Sequence, residues 1–466
     1  MTAMKNRAPA VIGIALILAC LLSWVAPLPT QAMVLRRLFK NETAQSKTPL
    51  ADLPGLGSDD RVLILAPHPD DEIIACSGLI RRALKAKARV KVVFLTNGDH
   101  NEPSYLVYKK RLALFRGEFI GMGRTREKES LAALQYLGLN AADAVFLGYP
   151  DYGTMDMMFG HWDVGRPFRD KLTRISEVPY NESPSFGSTY IGQNILRDLR
   201  REILGFRPTK VFVSHPCDAN RDHRALYLFT RITLWDCVAQ LKTPLVFPYL
   251  IHVVGWPAPR GIHPDLTWDP PQKMAAGPAH WYRLRLFSDE KNAKKTAVSF
   301  AKSQLAGYPA YLFTFVRANE LFSDYPAISL KNPAAKRLLW RPSGADRGKE
   351  PALVYGRKGN VLLIKLTPQK SRYFKGYIRL LPYRHTRDFS LMPKLTLFVA
   401  GDKLVVYRNN TRLRNVSCRT IRRGRTSLVF VSLKFLGDPD RLLVCLSSKN
   451  KDFSLDDLAW RILELK

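Results

Sequence analysis

Two short segments of the sequence carry residue types that could bind a metal and catalyse a reaction. The first is Pro67-His68-Pro69-Asp70-Asp71-Glu72, and the second is the polar run from His215 to His223. From these segments His68, Asp71 and His223 supply two imidazoles and one carboxylate, a ligand set that suits a catalytic divalent metal, most naturally zinc. Such a metal lowers the pKa of bound water toward about 7 and polarises a carbonyl oxygen. The residue types therefore indicate metal-assisted hydrolysis.

The acids beside this ligand set have further expected roles and a simpler alternative. Asp70 is the candidate general base, because a carboxylate beside the reacting water can take its proton. We expect Asp222 to begin the following helix or to orient a ligand from behind rather than to bind the metal. The alternative is that Asp70 or Asp71 merely caps a helix and that His223 is an ordinary core or surface histidine. The presence of two matching clusters favours the metal site.

Each polar segment directly follows an apolar run that is typical of a buried strand, at 62–66 and at 210–214. In open α/β sheets, ligands bind at the carboxyl ends of the strands, so both segments are expected to open onto one crevice. Further strands are predicted at 90–96, 144–147 and 245–254, helices at 72–87, 124–137, 191–204, 225–241 and 291–304, and loops at 152–188 and 255–288. This alternation predicts an α/β fold with a doubly wound, mostly parallel, Rossmann-like sheet.

The pattern of apolar residues changes near residue 338. From there, short apolar runs separated by turn residues predict a smaller all-β domain, an antiparallel sandwich or jelly roll. The predicted organisation is a signal peptide or membrane anchor at 1–32, a linker at 33–60, a catalytic domain at 61–330 and a basic β-sandwich-like domain at 338–466.

The N-terminus is typical of export to the cell envelope or periplasm. Lys5 and Arg7 precede an apolar run at 11–26, and Ala32 ends a stretch suited to signal cleavage. Three alternatives stay open: cleavage near Ala32, retention as an uncleaved anchor, and lipidation at Cys20. Each of them places the rest of the chain outside the cytosol if the basic end stays inside.

The charge of the chain implies an anionic partner. The 72 basic and 40 acidic residues give a net charge of +32. Residues 331–466 hold 30 basic and 10 acidic residues, a net of 30 − 10 = +20, which leaves 32 − 20 = +12 for the first 330. We expect this basic region to bind an anionic glycan or membrane surface. Few aromatic residues are interleaved with the charges, so no nucleic-acid partner is expected.

The six cysteines show no CxxC or CxxH spacing, which argues against a structural zinc finger. If the C-terminal region is exported, a disulfide between Cys418 and Cys445 is an open alternative.

The motifs also resemble a known family. PHPDDE, followed far downstream by a D-x-x-x-DH cluster, resembles the PIG-L/LmbE-like metal-dependent de-N-acetylases, which act on N-acetylglucosamine-containing glycolipids, glycoside thiols and related sugars. The resemblance extends from about residue 60 to 322. It includes an R-x-x-E helix motif, an LGYPD segment and a K-x-A…SQ helix, carried here by Arg126, Glu129 and Ala133, by residues 147–151, and by Lys295, Ala297, Ser303 and Gln304.

The resemblance implies an LmbE-like fold and a role for each matching residue. It implies His68, Asp71 and His223 as ligands of zinc or another divalent metal, Asp70 as general base, and Arg126 and Asp151 as contacts to the substrate.

One position departs from the family pattern. Where many members carry a histidine three residues before the last ligand, this chain has Asn220. An asparagine can donate a hydrogen bond to an oxyanion but cannot act as a general acid. The proton for the leaving amine must then come from Asp70 or from His215.

These features together predict an exported, zinc-dependent hydrolase that removes an N-acetyl or other acyl group from an amino sugar of a glycolipid or envelope polysaccharide. Two alternatives are a hydrolase of another N-acyl amide with the same site, and a non-catalytic exported glycan-binding protein.

Overall fold

A computed structural model describes residues 50–101, 107–110, 115–275, 277, 279–332, 338–340, 352–448, 453 and 457–466 of the chain. The predicted signal peptide or anchor at 1–32 and most of the predicted linker at 33–60 lie outside the described residues.

The first sheet has eight strands: β1 Ala51–Asp52, β2 Arg61–Ala66, β3 Arg89–Thr96, β4 Ala144–Tyr149, β5 Lys210–Ser214, β6 Leu245–Tyr249, β7 His280–Arg285 and β8 Asn319–Asp324. Their spatial order is β1-β7-β8-β6-β5-β2-β3-β4. Five neighbouring pairs are parallel, whereas β8 runs antiparallel to both β6 and β7. The stretch β4-β3-β2-β5-β6 has the order of a Rossmann-like sheet. The α/β prediction is confirmed, but the sheet is mixed, so the prediction of a doubly wound, mostly parallel sheet holds only in part.

The helices are α1 Asp71–Lys85, α2 Arg116–Leu137, α3 Thr154–Gly160, α4 Gly192–Phe206, α5 Arg221–Asp236, α6 Gln272–Ala275, α7 Ser288–Ser299, α8 Lys302–Leu305 and α9 Pro309–Phe313, with 3-10 turns at Ala141–Asp143 and Phe389–Leu391. Helices α1 and α7 contribute to one apolar cluster on the sheet, and α4 and α5 contribute to another. Alternate residues of β2, such as Val62 and Leu63, belong to different clusters, which is why this strand reads as a continuous apolar run.

Several elements differ from the sequence prediction. Helix α3 lies inside the predicted loop at 152–188, and α6 and β7 lie inside the predicted loop at 255–288. Strand β1 lies inside the predicted linker at 33–60, and α9 and β8 were not predicted. Strand β8 has the sequence NELFSD and buries Glu320 completely. This carboxylate interrupts the apolar pattern of the strand. Its burial is explained by donors from other parts of the chain, the Lys294 ammonium and the backbone N–H groups of Gly78 and Leu79.

The pairing of β2 with β5 brings the two polar segments together. The two strands are parallel, with Leu65 opposite Val213. The chain therefore leaves both strands at the same edge of the sheet. Residues 67–70 lead from β2 into α1, and residues 215–220 lead from β5 into α5. The convergence predicted from the sequence is present.

Residues beyond β8 form two further sheets. The strands are β9 Ile328–Ser329, β10 Leu338–Trp340, β11 Leu353–Lys358, β12 Val361–Leu366, β13 Lys375–Tyr383, β14 Leu395–Ala400, β15 Lys403–Arg408, β16 Thr411–Arg412, β17 Cys418–Arg423, β18 Thr426–Ser432, β19 Arg441–Ser448 and β20 Arg461–Glu464. One sheet has the order β10-β11-β12-β18-β17 and the other β16-β15-β14-β13-β19-β20-β9. Both contribute to one hydrophobic core, as expected for a sandwich.

Strand β13 joins this core to the α/β part of the chain. Ile378 and Leu380 point into the sandwich core, whereas Leu381 and Tyr383 belong to the cluster that contains α4 and α5. The Tyr383 hydroxyl donates to Asp236 at 2.8 Å. The described residues between 50 and 466 form one compact unit.

Among the described residues, no helix is both long enough and apolar enough to cross a bilayer. Cys418 and Cys445 are free thiols rather than a disulfide, and the Cys445 thiol donates to a backbone carbonyl at 3.2 Å.

Candidate metal and active site

The Asp71 carboxylate lies between two imidazoles. Its Oδ2 atom is 3.2 Å from His68 Nδ1 and 3.1 Å from His223 Nε2, and it accepts a hydrogen bond from the His68 backbone N–H at 3.0 Å. All three side chains are buried, with exposures of 7% or less. The three residues predicted as metal ligands are therefore brought together.

A second carboxylate lies behind each imidazole. His68 Nε2 is 3.1 Å from Asp151 Oδ1, and His223 Nδ1 is 3.2 Å from Asp218 Oδ2. Each ring thus has one nitrogen on the Asp71 side and the other against an outer carboxylate. Metal-binding histidines have this arrangement, because the outer acid fixes the ring and its tautomer. It favours His68, Asp71 and His223 over the other acid and histidine groupings as the inner set.

The residues present fit a divalent metal. Of the two ring nitrogens on the Asp71 side, His223 Nε2 is buried without a hydrogen-bond partner in suitable geometry, although Asp71 Oδ2 lies near it. Buried polar atoms are normally hydrogen-bonded, so this nitrogen is free to accept a metal ion beside Asp71. Two nitrogens and one oxygen are the donor types that zinc accepts.

The neighbouring acids control the charge of this cluster. Burial lowers the pKa of His223, but Asp218 and Asp71 together raise it to about 9. Burial likewise opposes protonation of His68, yet Asp151 and the other nearby acids raise its pKa well above the usual value. The acids therefore favour protonated imidazoles, and metal binding would have to displace these protons.

Asp70 has a strained backbone and a shifted pKa. Its φ angle of 120° is in a region that non-glycine residues rarely adopt. Burial raises the pKa of its carboxyl to about 7; Arg126 opposes this shift and Asp71 adds to it. Its side chain makes no helix-capping hydrogen bond. The carboxyl is therefore not used to cap α1 and can exchange a proton near neutral pH.

Arg126 holds Asp70 in place. Its Nη2 atom donates to Asp70 Oδ2 at 3.1 Å and to the Pro69 carbonyl at 2.6 Å, and its Nη1 atom donates to the Gly98 carbonyl at 2.8 Å. A Cβ atom at Gly98 would lie 2.1 Å from Arg126 Nη1, so this close approach needs the glycine. Arg126 lines the cavity described below, and its contact with a sugar stays a prediction.

Asp222 and Asn220 organise the start of α5. Asp222 Oδ2 accepts from the Tyr152 N–H at 2.6 Å and lies 3.5 Å from His68 Nε2. Asn220 is the N-cap residue, and its side-chain oxygen accepts from the Asp222 N–H at 2.8 Å. The Asn220 side-chain N–H groups are what it can offer to a ligand, since it also lines the cavity.

His215 is not brought to the cavity. It is fully buried, its ring stacks on Trp281 at 5.6 Å, and its Nδ1 accepts from the Cys217 N–H. Burial lowers its pKa to about 3, so it is neutral. The structure gives no support to His215 as a proton donor, and that role stays a prediction.

His252 is a cavity residue that sequence reasoning missed. Its ring packs against the His223 ring with centroids 4.6 Å apart, and its Nδ1 is 2.9 Å from the Tyr311 hydroxyl. It follows the end of β6 at Tyr249 by three residues. Polar residues that directly follow a buried strand are site candidates in an α/β sheet. His252 would have met this criterion, but the predicted strand at 245–254 included it.

The cluster opens into a cavity of about 710 Å³. His68, Asp70 and Asp71 lie among its lining residues, and the wall includes Tyr152, Tyr308 and Tyr311. Tyr152 and Tyr308 are about half exposed, at 51% and 50%. Exposed tyrosines combine an apolar face with a hydroxyl, which suits a ligand that is itself part apolar and part hydroxylated.

Three solved structures are similar to this chain. The conserved protein TT1542 from Thermus thermophilus has 19% identity, a TM-score of 0.34, and coverage of 59% of this chain and 99% of that one. The N,N'-diacetylchitobiose deacetylase from Pyrococcus horikoshii has 17% identity and a TM-score of 0.35, and the match covers 64% of this chain and 92% of that one. The 4-carboxy-2-hydroxymuconate hydratase from Pseudomonas putida has 15% identity and a TM-score of 0.35, and the match covers 57% of this chain and 97% of that one. Function is not transferred at such identities and scores.

The family comparison is more specific. No curated protein sequence matches the chain. Residues 63–233 match the sequence model of the PIG-L family, described as GlcNAc-PI de-N-acetylase. This segment contains both polar segments described above. The resemblance predicted from the motifs is thus confirmed by the PIG-L family match over residues 63–233.

Proposed function

We propose that this protein is a metal-dependent hydrolase that removes an N-acetyl group from an amino sugar of a glycan or glycolipid. The observation that carries the proposal is the arrangement around Asp71: two imidazoles face its carboxylate, each is backed by an outer acid, and Asp70 lies beside them. The match of residues 63–233 to a de-N-acetylase family supports the same reaction.

His68, Asp71 and His223 would hold the metal, zinc or another divalent ion. When bound, such an ion lowers the pKa of water and polarises the amide carbonyl. Asp151 and Asp218 fix the two imidazole rings from behind, which keeps the ligand set in one geometry.

Asp70 moves the proton. It takes one proton from the attacking water as the oxygen bonds to the amide carbon, and it returns that proton to the nitrogen as the carbon–nitrogen bond breaks. The products are the free amine and acetic acid, which loses its remaining proton to solvent as acetate. Arg126 holds Oδ2 of this carboxyl, so Oδ1 is the atom left to exchange the proton.

The negative charge on the carbonyl oxygen needs hydrogen-bond donors in addition to the metal. The cavity offers the side-chain N–H groups of Asn220 and the His252 imidazole, whose other nitrogen contacts Tyr311. Either donor could stabilise this oxygen in place of the histidine that many relatives are expected to have at the position of Asn220.

The test is release of acetate and free amine from a panel of N-acetylglucosamine glycans and glycolipids. We expect activity that a chelator abolishes and that Zn²⁺ or another divalent ion restores. Activity only on acyl amino acids or other non-sugar amides would replace the proposed substrate class. A purified protein that contains no metal and releases no acetate, yet binds glycans, would refute the enzymatic proposal and favour a glycan-binding role.

The exported location and the glycolipid or envelope context remain predictions from residues 1–32 and from the family resemblance. Sequencing the N-terminus of the mature protein from cells would test cleavage near Ala32.

A further inference from the structure

A second cavity, of about 820 Å³, lies where the C-terminal sheets meet the α/β part of the chain. It is lined by α3, by the first turn of α5, and by β13, β14, β15 and β19. Its lining residues include four Lys or Arg residues but one carboxylate, that of Asp156. The cavity therefore has more basic than acidic side chains in its wall.

Two of the four cations are already engaged within the protein. Arg221 forms an ion pair with Asp156. The Lys394 ammonium donates to backbone carbonyls, including that of Met392 at 2.9 Å, and lies over the Trp162 ring at 4.4 Å. These contacts fix the two side chains and leave them with little capacity for a further ligand.

The other two cations, Arg224 and Arg379, have no carboxylate within 4 Å in the described part of the chain. Arg224 Nε is buried and lacks a hydrogen-bond partner there. The Arg379 guanidinium contacts the Phe159 ring from 5.8 Å. Burial lowers the pKa of Arg379, and the charges of Arg224 and Arg221 lower it further. Guanidinium groups that repel one another in a partly buried site favour the binding of an anion.

The fold explains how Arg379 reaches this place. On β13, Ile378 and Leu380 point into the sandwich core, so Tyr377 and Arg379 lie on the opposite face, together with Leu381 and Tyr383. Leu381 and Tyr383 pack on the α/β part of the chain. Tyr377 and Arg379, at the other end of the same face, line the cavity.

The second cavity and the candidate active site each share wall residues with a third, smaller cavity. This smaller cavity has a volume of about 260 Å³. It shares His100, Asp151 and Tyr152 with the active-site cavity and Arg221, among others, with the second cavity. Helix α5 makes the same link, because its N-cap residue lines the active-site cavity and its first-turn arginines line the second.

We propose that Arg224 and Arg379 bind an anionic group, a carboxylate or a phosphate, on the glycan that carries the N-acetylated sugar. The inference rests on the proposed function and narrows its substrate class to acidic glycans. Arginine suits both anions because its planar N–H fork binds two oxygens at once. The net charge of +20 on residues 331–466 would also draw such a substrate to this face.

The experiment compares matched N-acetylglucosamine oligosaccharides that are neutral, that carry a glucuronate carboxylate, or that carry a phosphate ester. Calorimetric binding and acetate release would be measured on the metal-loaded full chain and on Arg379→Gln and Arg224→Gln. Arg423→Gln is the matched control, because Arg423 is exposed on β17 and does not line the cavity.

We expect the unsubstituted protein to bind an acidic oligosaccharide about 10-fold or more tightly than the neutral one, and to show the same preference in kcat/KM through a lower KM. Each of the two cavity variants should lose this preference, with affinity for the neutral oligosaccharide unchanged, whereas Arg423→Gln should keep it. The better of the carboxylate and phosphate ligands identifies the anion. Thermal melting would show that the variants are folded.

Equal binding of acidic and neutral oligosaccharides, unchanged in both variants, would overturn the inference while leaving the proposed function intact. Absence of acetate release from every oligosaccharide would instead refute the proposed function. In that case the binding data still decide the inference, since a preference for the acidic oligosaccharide that depends on Arg379 supports it and the lack of such a preference overturns it.

Discussion

Replacing Asp70 with asparagine separates proton transfer from metal binding. Asparagine has nearly the same shape and keeps an oxygen that can accept from Arg126 Nη2, which is 3.1 Å from Asp70 Oδ2. It cannot take a proton from water. The imidazoles and carboxylate that would hold the metal are unchanged, so the variant should bind metal but hydrolyse slowly.

General acid–base groups contribute about 100- to 10,000-fold to a rate, which corresponds to about 2.7–5.4 kcal/mol of activation free energy. We expect kcat to fall within this range. The cost in stability should be smaller, about 1–2 kcal/mol, because Arg126 keeps its bonds to the carbonyls of Pro69 and Gly98. Removal of the charge beside Asp71 also relieves repulsion between the two acids.

The assay combines acetate release, bound metal per chain by elemental analysis, and the free energy of unfolding. His68→Ala is the contrasting variant, since it should lose metal and activity together. Asp59→Asn makes the same chemical change at an exposed position and should alter neither. An Asp70→Asn protein that keeps more than about a tenth of the kcat, or that loses its metal, would refute the division of roles between Asp70 and Asp71.

Two further substitutions test the support of the site and of the fold. Asp218→Asn should weaken metal affinity about 10- to 100-fold, measured by competition with a chelator, because Asp218 fixes the His223 ring from 3.2 Å; unchanged affinity would contradict that role. Lys294→Met should lower the free energy of unfolding by about 3–5 kcal/mol in urea denaturation, because it leaves Glu320 charged and buried without its partner at 2.9 Å. The same change at the exposed neighbour Lys295 should lower the free energy of unfolding by less than about 0.5 kcal/mol. Equal effects at the two positions would contradict the role of Lys294 as the buried partner of Glu320.

Some features of the fold needed no coordinates. The apolar runs of β2 and β5 end at the polar segments, and parallel strands must present their carboxyl ends at one edge, so the meeting of His68 and Asp71 with His223 followed from the sequence. The short alternating strands after residue 338 likewise identified an all-β region, because a period of two places every second residue in a core.

Other features depend on contacts between distant segments. The sequence could not show that β8 runs antiparallel in the first sheet, because its buried Glu320 becomes acceptable only beside Lys294 of α7 and the backbone N–H groups of Gly78 and Leu79 in α1. Nor could it show that Arg126 donates to Asp70, since that contact requires the backbone of Gly98 at close range.

The roles of the individual side chains in the candidate site were also decided by tertiary structure. The sequence identified which residues could bind a metal, because histidine and aspartate directly after two buried parallel strands have the residue types and the location expected of a metal site. It could not show that Asp151 and Asp218 back the two imidazoles or that His252 lines the cavity. These facts depend on how strands, loops and helices far apart in the chain pack at one edge of the sheet, and that packing is set by the whole core rather than by local sequence.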